Sequence, residues 1–309
     1  MKIATIDIGT NSVLLLIAEA VGNKLVPVFE GSTITRLGQG VDETRRLNPD
    51  AVARTLRCIE DYAQRAKEHD VEALDVVTTS AARDALESGE FLDSSERVLG
   101  CRPRVIVGEE EARLTFNGAL SDLDVSGPVA VYDIGGGSTE IVFGHIKQGA
   151  PPVLQQMSSI DIGCVRMTER HVHTDPPTQA ELDAVRDAVD ASVAHLPPPQ
   201  RDVSWIGIGG TITTLAAVKM GLVTYDASKV HGFELSVSDI TDLLDTLAEM
   251  PLSRRQLVPG LEPKRADVIV SGGCVVQRLL RWTGQTKTFV SSRGVQWGLA
   301  SEIWSRLRH

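Results

Sequence analysis

The sequence has no long apolar run. Its longest, residues 13–18, covers six positions, against the roughly 20 that a membrane-spanning helix needs. No membrane role is therefore expected. The four cysteines, Cys58, Cys101, Cys164 and Cys274, are widely scattered and form no C-x-x-C pair. That argues against a disulfide scaffold and for free thiols in a reducing compartment. Lys2, the apolar stretch after it and Ala18-Glu19-Ala20 imitate an export signal, but Asp7 and Asn11 interrupt it, so a cytoplasmic location is expected. There is no G-x-x-x-x-G-K-[ST] phosphate loop and no G-x-S-x-G nucleophile elbow, which sets aside two large enzyme classes. Positive charge is also in deficit. With 31 Lys/Arg against 41 Asp/Glu, the net charge of −10 speaks against general nucleic-acid binding. His171 and His173, near Glu169, lack metal-ligand spacing and read as a helix end.

What remains is an ordinary globular composition, 42% hydrophobic and 23% charged over 309 residues. At this size roughly three quarters of the chain's surface is buried on folding, enough for one large domain or two middling ones. Charge is unevenly spread. Residues 252–309 hold ten Lys/Arg and three Asp/Glu, a net of +7, leaving −17 on residues 1–251. A basic end on an acidic protein is either a solvated helix face or a local site for a polyanion.

Strands are expected at residues 2–8, 13–19, 25–36, 73–79 and 104–107, with a helix from Asn48-Pro49 to about His69 and another over 109–120. A second cycle places strands at 129–133, 139–144, 153–158, 203–208 and 286–290. Its helices fall at 178–196, from Gly209 to Met220, at 238–249, 263–282 and 295–307. Pro197-Pro198-Pro199 reads as a stiff spacer.

The informative feature is a repeat. Asp7-Ile8-Gly9-Thr10-Asn11-Ser12-Val13 aligns with Asp133-Ile134-Gly135-Gly136-Gly137-Ser138-Thr139. Each copy follows one apolar strand and precedes another, which suits two homologous domains, each opening on a hairpin. Gly209-Gly210-Thr211 and Ser271-Gly272-Gly273-Cys274 add further glycine-rich elements. A tight turn of this kind directs backbone N–H groups and hydroxyls toward its mouth, an array that binds phosphate oxygens. Glycine lets the ligand come close, and an Asp at the strand end suits Mg²⁺. Two such turns facing each other across a cleft would grip a polyphosphate from both sides. Glu109, Glu110 and Glu111 open a helix, where acidic residues complement the dipole; spacing alone does not choose a catalytic base among them.

Several segments together resemble the exopolyphosphatase/guanosine-pentaphosphate phosphatase (Ppx/GppA) family, within the actin-like ATPase superfamily. They are Ile6 to Ser12, Thr78-Thr79-Ser80-Ala81-Ala82-Arg83-Asp84-Ala85, Gly108-Glu109-Glu110-Glu111-Ala112-Arg113, Tyr132 to Glu140, Asp161-Ile162-Gly163-Cys164-Val165-Arg166, Gly207 to Thr211 and Arg265-Ala266-Asp267-Val268-Ile269. The match spans nearly the whole chain and is closest to the short, two-domain form. Near the end, Ser291-Ser292-Arg293-Gly294 departs slightly from the family pattern.

The resemblance implies an α/β fold of two actin-like (ribonuclease H-like) domains with an interdomain active-site cleft. Residues 1–121 form the first domain and 122–294 the second, and a closing helix, about 295–309, packs back on the first. By the same resemblance, Glu111 is the catalytic base, with Asp133 and Glu140 near the metal and attacking water. Asp7, Asp133 and Glu140 hold Mg²⁺, with Mn²⁺ as the alternative. Gly9, Thr10, Asn11, Ser12, Arg83, Gly135, Gly136, Gly137, Ser138, Gly209, Gly210 and Thr211 bind substrate phosphates. The expected reaction is hydrolysis of the terminal phosphoanhydride of inorganic polyphosphate. A guanosine pentaphosphate 5'-phosphohydrolase and a non-catalytic sensor of that nucleotide are the alternatives. The resemblance also implies a homodimer.

Overall fold

Alternation along the first strands decides how the N-terminal part packs. In β1 (Lys2–Ile8) and β2 (Ser12–Val21), Ala4, Ile6, Ile8, Val13, Leu15 and Ile17 enter one apolar cluster, while Ile3, Leu16 and Ala18 enter another. The sheet is therefore buried on both faces, as mixed α/β sheets are. Each fully buried Ile or Leu contributes roughly 1.5–3 kcal/mol to holding it.

The computed structural model describes residues 1–22, 24–147, 152–196 and 202–308; the expected proline spacer at 197–199 lies outside them. The chain divides into two units, Met1–Gly118 with Gly294–His309, and Ala119–Arg293.

In the first unit β3 (Lys24–Ile34) is followed by α1 (Val41–Thr44), α2 (Pro49–Glu68), β4 (Ala73–Thr78), α3 (Ser80–Asp84), α4 (Gly89–Leu99), β5 (Arg104–Val105) and α5 (Gly108–Leu120). The last residues of α5 pass into the second unit. The sheet order is β3-β2-β1-β4-β5. The first three strands run antiparallel, and β4 and β5 are added in parallel. Asn48 caps α2 by accepting N–H bonds from Asp50 (2.9 Å) and Ala51 (3.2 Å), the usual role of an N-cap Asn. Cys58, Ile59, Tyr62, Ala63 and Ala66 of α2, with Phe91, Leu92 and Leu99 of α4, cover one face of the sheet.

The second unit contains β6 (Gly127–Ile134), β7 (Thr139–Ile146), β8 (Val153–Ile160), α6 (Cys164–His171), α7 (Gln179–Val193), β9 (Ser204–Ile208), α8 (Gly209–Lys219), α9 (Ala227–Val230), β10 (Glu234–Ser236), α10 (Val237–Ala248), α11 (Leu252–Arg255), α12 (Ile269–Thr283) and β11 (Lys287–Val290). Its sheet order is β10-β11-β9-β6-β7-β8. The run β8-β7-β6-β9-β11 reproduces the strand order and directions of the first sheet. The motif repeat is thus a repeat of topology.

The final helix, α13 (Val295–Leu307), belongs to the first unit. Val295, Trp297, Leu299, Ala300 and Ile303 fill the second apolar cluster beside Ile3, Leu16, Val77, Ile106 and Leu114. Thr5 Oγ1 donates to the Gln296 carbonyl (2.9 Å), and Trp297 Nε1 donates to Glu30 (2.9 Å).

The expected single helix over 263–282 is instead a 3-10 turn, Pro263–Arg265, followed by α12. α4 and β10 were not foreseen. Among the described residues no helix is long and apolar enough to cross a membrane.

Candidate active site

Both repeat turns close with the same backbone bond. Gly9 N–H donates to the Ser12 carbonyl (3.0 Å), and Gly135 N–H to that of Ser138 (2.9 Å). In each unit the chain leaving the third strand then captures the turn's carbonyls. The Asn11 carbonyl accepts from Thr35 (3.0 Å) and Arg36 (2.9 Å), and that of Thr10 from Gly38 (2.9 Å). In the second unit, the Gly135 carbonyl accepts from Cys164 (3.0 Å), and that of Gly136 from Val165 and Arg166 (both 3.0 Å). Arg166 Nε donates to the Gly137 carbonyl at 2.6 Å. Gly163 lies so near that a Cβ on it would stand 2.5 Å from the Gly136 carbonyl group; only glycine admits this approach. A trans peptide points its C=O and the next N–H in opposite directions. With the carbonyls held to one side, the N–H groups of Gly136, Gly137 and Ser138 project to the other. An array of this kind can bind an anion.

In the first unit Asp7 is buried, 8% exposed, and pairs in register with Leu14 of β2 and Val77 of β4. Thr10 and Ser80 share a hydroxyl hydrogen bond of 2.7 Å, so the turn and the start of α3 are brought together. Arg83, on α3, donates from Nη1 to the Ile106 carbonyl (2.9 Å) and contacts Glu111 Oε2 at 3.4 Å. The three carboxylates opening α5 differ in surroundings. Glu110 accepts from Arg104 (2.9 Å), and that hydrogen bond raises the Arg104 pKa. Glu111 faces Arg83 instead.

In the second unit Asp133 is the register partner of Glu140 across β6 and β7. Directly opposed residues stand about 5 Å apart at Cβ on one face of a sheet. Asp133 also fills the space that a Cβ on Gly209 would take, which places its carboxylate at the start of α8. Ser138 donates to Glu140 Oε1 (2.6 Å), as does Ser159 (3.0 Å). Arg265 lies against Gly210, where α8 begins. Burial pushes the Cys164 thiol pKa up, with Arg265 and the Thr211 hydroxyl opposing the shift.

The first unit thus gathers Asp7, the turn at 9–12, Arg83 and Glu111. The second gathers Asp133, Glu140, the turn at 135–138 and residues 209–211. The sequence assigns no role to Arg166 or Ser159, and to Arg265 only a place in the basic end. Two of them act on backbone atoms or on glycine, contacts without side-chain patterning. For Arg166 the available signal is Gly163, spaced to bring the start of α6 under the turn.

Cations of the basic end form ion pairs, several of them partly buried. Arg255, Arg278, Lys287, Arg293 and Arg306 pair with Asp175, Asp190, Glu234, Asp122 and Asp75. These five cations therefore meet carboxylates from the acidic part of the chain.

Residues 16–306 match the family model for the Ppx/GppA phosphatase family. The chain is 40% identical over 296 residues to a Mycobacterium tuberculosis protein named exopolyphosphatase 2, covering 91% of this chain and 90% of that one. It is 25% identical to a guanosine-5'-triphosphate,3'-diphosphate pyrophosphatase of Photobacterium profundum, covering 99% of this chain and 60% of that one. Among solved structures, the Aquifex aeolicus Ppx/GppA family member superposes with a TM-score of 0.85 at 35% identity, covering 99% of this chain and 98% of that one. With two sheets of one topology, a phosphate-type turn in each, and these likenesses along nearly its full length, the chain belongs to the Ppx/GppA phosphatase family, with its two-domain actin-like fold, and is a phosphoanhydride hydrolase.

Proposed function

We propose that the chain is an exopolyphosphatase, hydrolysing the terminal phosphoanhydride of inorganic polyphosphate and releasing orthophosphate. The observation carrying this reading is the pair of turns with matched closing bonds, Gly9 to Ser12 and Gly135 to Ser138, each following an aspartate. Phosphoryl transfer asks for charge neutralisation and a positioned water, and little covalent help. Backbone N–H groups of the turns bind phosphate oxygens. Arg83 orients Glu111, whose carboxylate directs a water at the terminal phosphorus and takes its proton. The bridging P–O bond breaks, and the shortened chain leaves as its phosphate anion. Polyphosphate ranks ahead of guanosine pentaphosphate because the relative named for it is the nearer in sequence and in length.

Asp133 and Glu140, opposed across one ladder, are a donor set that fits Mg²⁺. This ion takes one or two carboxylates and completes its shell with water and substrate phosphate. Asp7 holds the equivalent place before the first unit's turn. When bound, Mg²⁺ (or Mn²⁺) neutralises charge on the phosphate oxygens. The four free thiols support a cytoplasmic setting, and light scattering tests the homodimer.

The test is side-by-side phosphate release from short polyphosphate, long polyphosphate and guanosine pentaphosphate, with Mg²⁺ and with excess chelator. Release from polyphosphate that stops on chelation is expected. Preference for the nucleotide would transfer the assignment to the pentaphosphatase activity. Tight nucleotide binding without turnover would make the protein a sensor.

A further inference from the structure

The two turns are built alike but held differently. In the first unit the third carbonyl of the turn, on Asn11, accepts from two backbone donors, Thr35 and Arg36, in the bonds described. Its counterpart on Gly137 accepts from a side chain, Arg166 Nε, at 2.6 Å. The Gly137 carbonyl shares a peptide plane with the Ser138 N–H. Whatever fixes that carbonyl fixes the direction of the last N–H in the array. It also sets the position of Ser138, whose hydroxyl donates to Glu140 Oε1 at 2.6 Å. One guanidinium therefore governs a phosphate donor and, through Ser138, a carboxylate. Charge-assisted hydrogen bonds are about twice as strong as neutral ones, which suits this task.

We propose that Arg166 is a positioning residue for hydrolysis. It holds the Gly137–Ser138 peptide so that the Ser138 N–H faces the substrate phosphate and the Ser138 hydroxyl holds Glu140 in place. The inference deepens the polyphosphate reading and rests on it. Arg166 joins α6 to the turn twice, its own N–H donating to the Gly136 carbonyl (3.0 Å) and its Nε to that of Gly137. The planar Nε–H that makes the bond has no equivalent on lysine.

Arg166→Ala and Arg166→Lys test this, each checked for folding by circular dichroism and by its melting temperature. Calorimetry reads Mg²⁺-dependent binding of inorganic tripolyphosphate, and a phosphate assay reads kcat and KM on polyphosphate. A donor misplaced by about 1 Å costs on the order of 10²-fold in rate, so kcat/KM of Arg166→Ala should fall by about that factor. Binding should weaken about tenfold or more, the cost of losing a charge-assisted hydrogen bond. Added guanidinium should restore part of the activity of Arg166→Ala. Arg166→Lys, folded and still charged, should stay impaired. Constants for Arg166→Ala within twofold of wild type, or full recovery in Arg166→Lys, would overturn the proposal. A wild-type protein that binds tripolyphosphate yet releases no phosphate would refute the exopolyphosphatase reading alone. The calorimetric comparison would still decide on Arg166.

Discussion

Glu111→Gln separates chemistry from stability. Glu111 Oε2 stands 3.4 Å from Arg83 Nη1, with side-chain exposures of 31% and 33%. An ion pair so open to water is worth about 0–1 kcal/mol. Glutamine keeps the length and an acceptor oxygen for Arg83, so unfolding should shift by no more than that. The lost function is of another size. A positioned general base contributes about 10²–10⁴-fold, equivalent to about 2.7–5.4 kcal/mol of activation free energy. Phosphate release should therefore fall by two to four orders of magnitude with the fold unchanged and tripolyphosphate still bound. Glu110→Gln is the matched control, because Glu110 engages Arg104 instead. Initial rates on polyphosphate, with thermal melts on the same preparations, read both effects. If Glu111→Gln kept a tenth or more of the rate, or Glu110→Gln lost as much as Glu111→Gln, the assignment of Glu111 would be wrong.

Two further outcomes follow from packing and titration. Trp297 is 2% exposed in the second apolar cluster of the first unit, so Trp297→Ala should cost about 3–5 kcal/mol; a scanning calorimetry trace unchanged from wild type would contradict this. His231 lies between the Ser121 carbonyl (3.0 Å from Nε2) and Ser291 Oγ (3.2 Å from Nδ1). Burial first, and Arg293 second, depress its pKa from 6.5 to about 4. The unfolded chain then binds the proton more readily. The neutral ring's stabilisation is complete above about pH 6.5 and is lost as the pH falls toward 4. Discounted for partial exposure, that is about 1–2 kcal/mol. His231→Asn should flatten the fall in urea midpoint over this range, and an equal slope in both proteins would refute it.

The strand–turn–strand repeat was legible because it is local: apolar alternation and a short turn lie within one stretch of chain. The helix break after Arg265 was not. The Ala266 carbonyl accepts from the buried Arg255 Nη1 at 3.0 Å, a contact that no helical periodicity registers. α4 was missed because Gly89, Ser94 and Ser95 dilute a pattern whose buried positions are Phe91, Leu92, Ser95 and Leu99. At the candidate site the glycines and acids stand in plain view. The clamp on the second turn joins residues 29 positions apart, Gly137 and Arg166, mostly through main-chain atoms that carry no compositional mark. Likewise, the basic end leaves a solvated face and a polyanion site equally open in the sequence, because its distant carboxylate partners carry no local signal.

The placement of α13 has a consequence for biosynthesis. Ile3, Leu16 and Val77 leave the ribosome early, yet the cluster they join is completed by Trp297, Leu299 and Ile303. The first unit is therefore completed only after the second has emerged. Until residues 295–307 emerge, one side of its sheet stays uncovered, an apolar surface that a nascent chain must shield with a chaperone or risk aggregation.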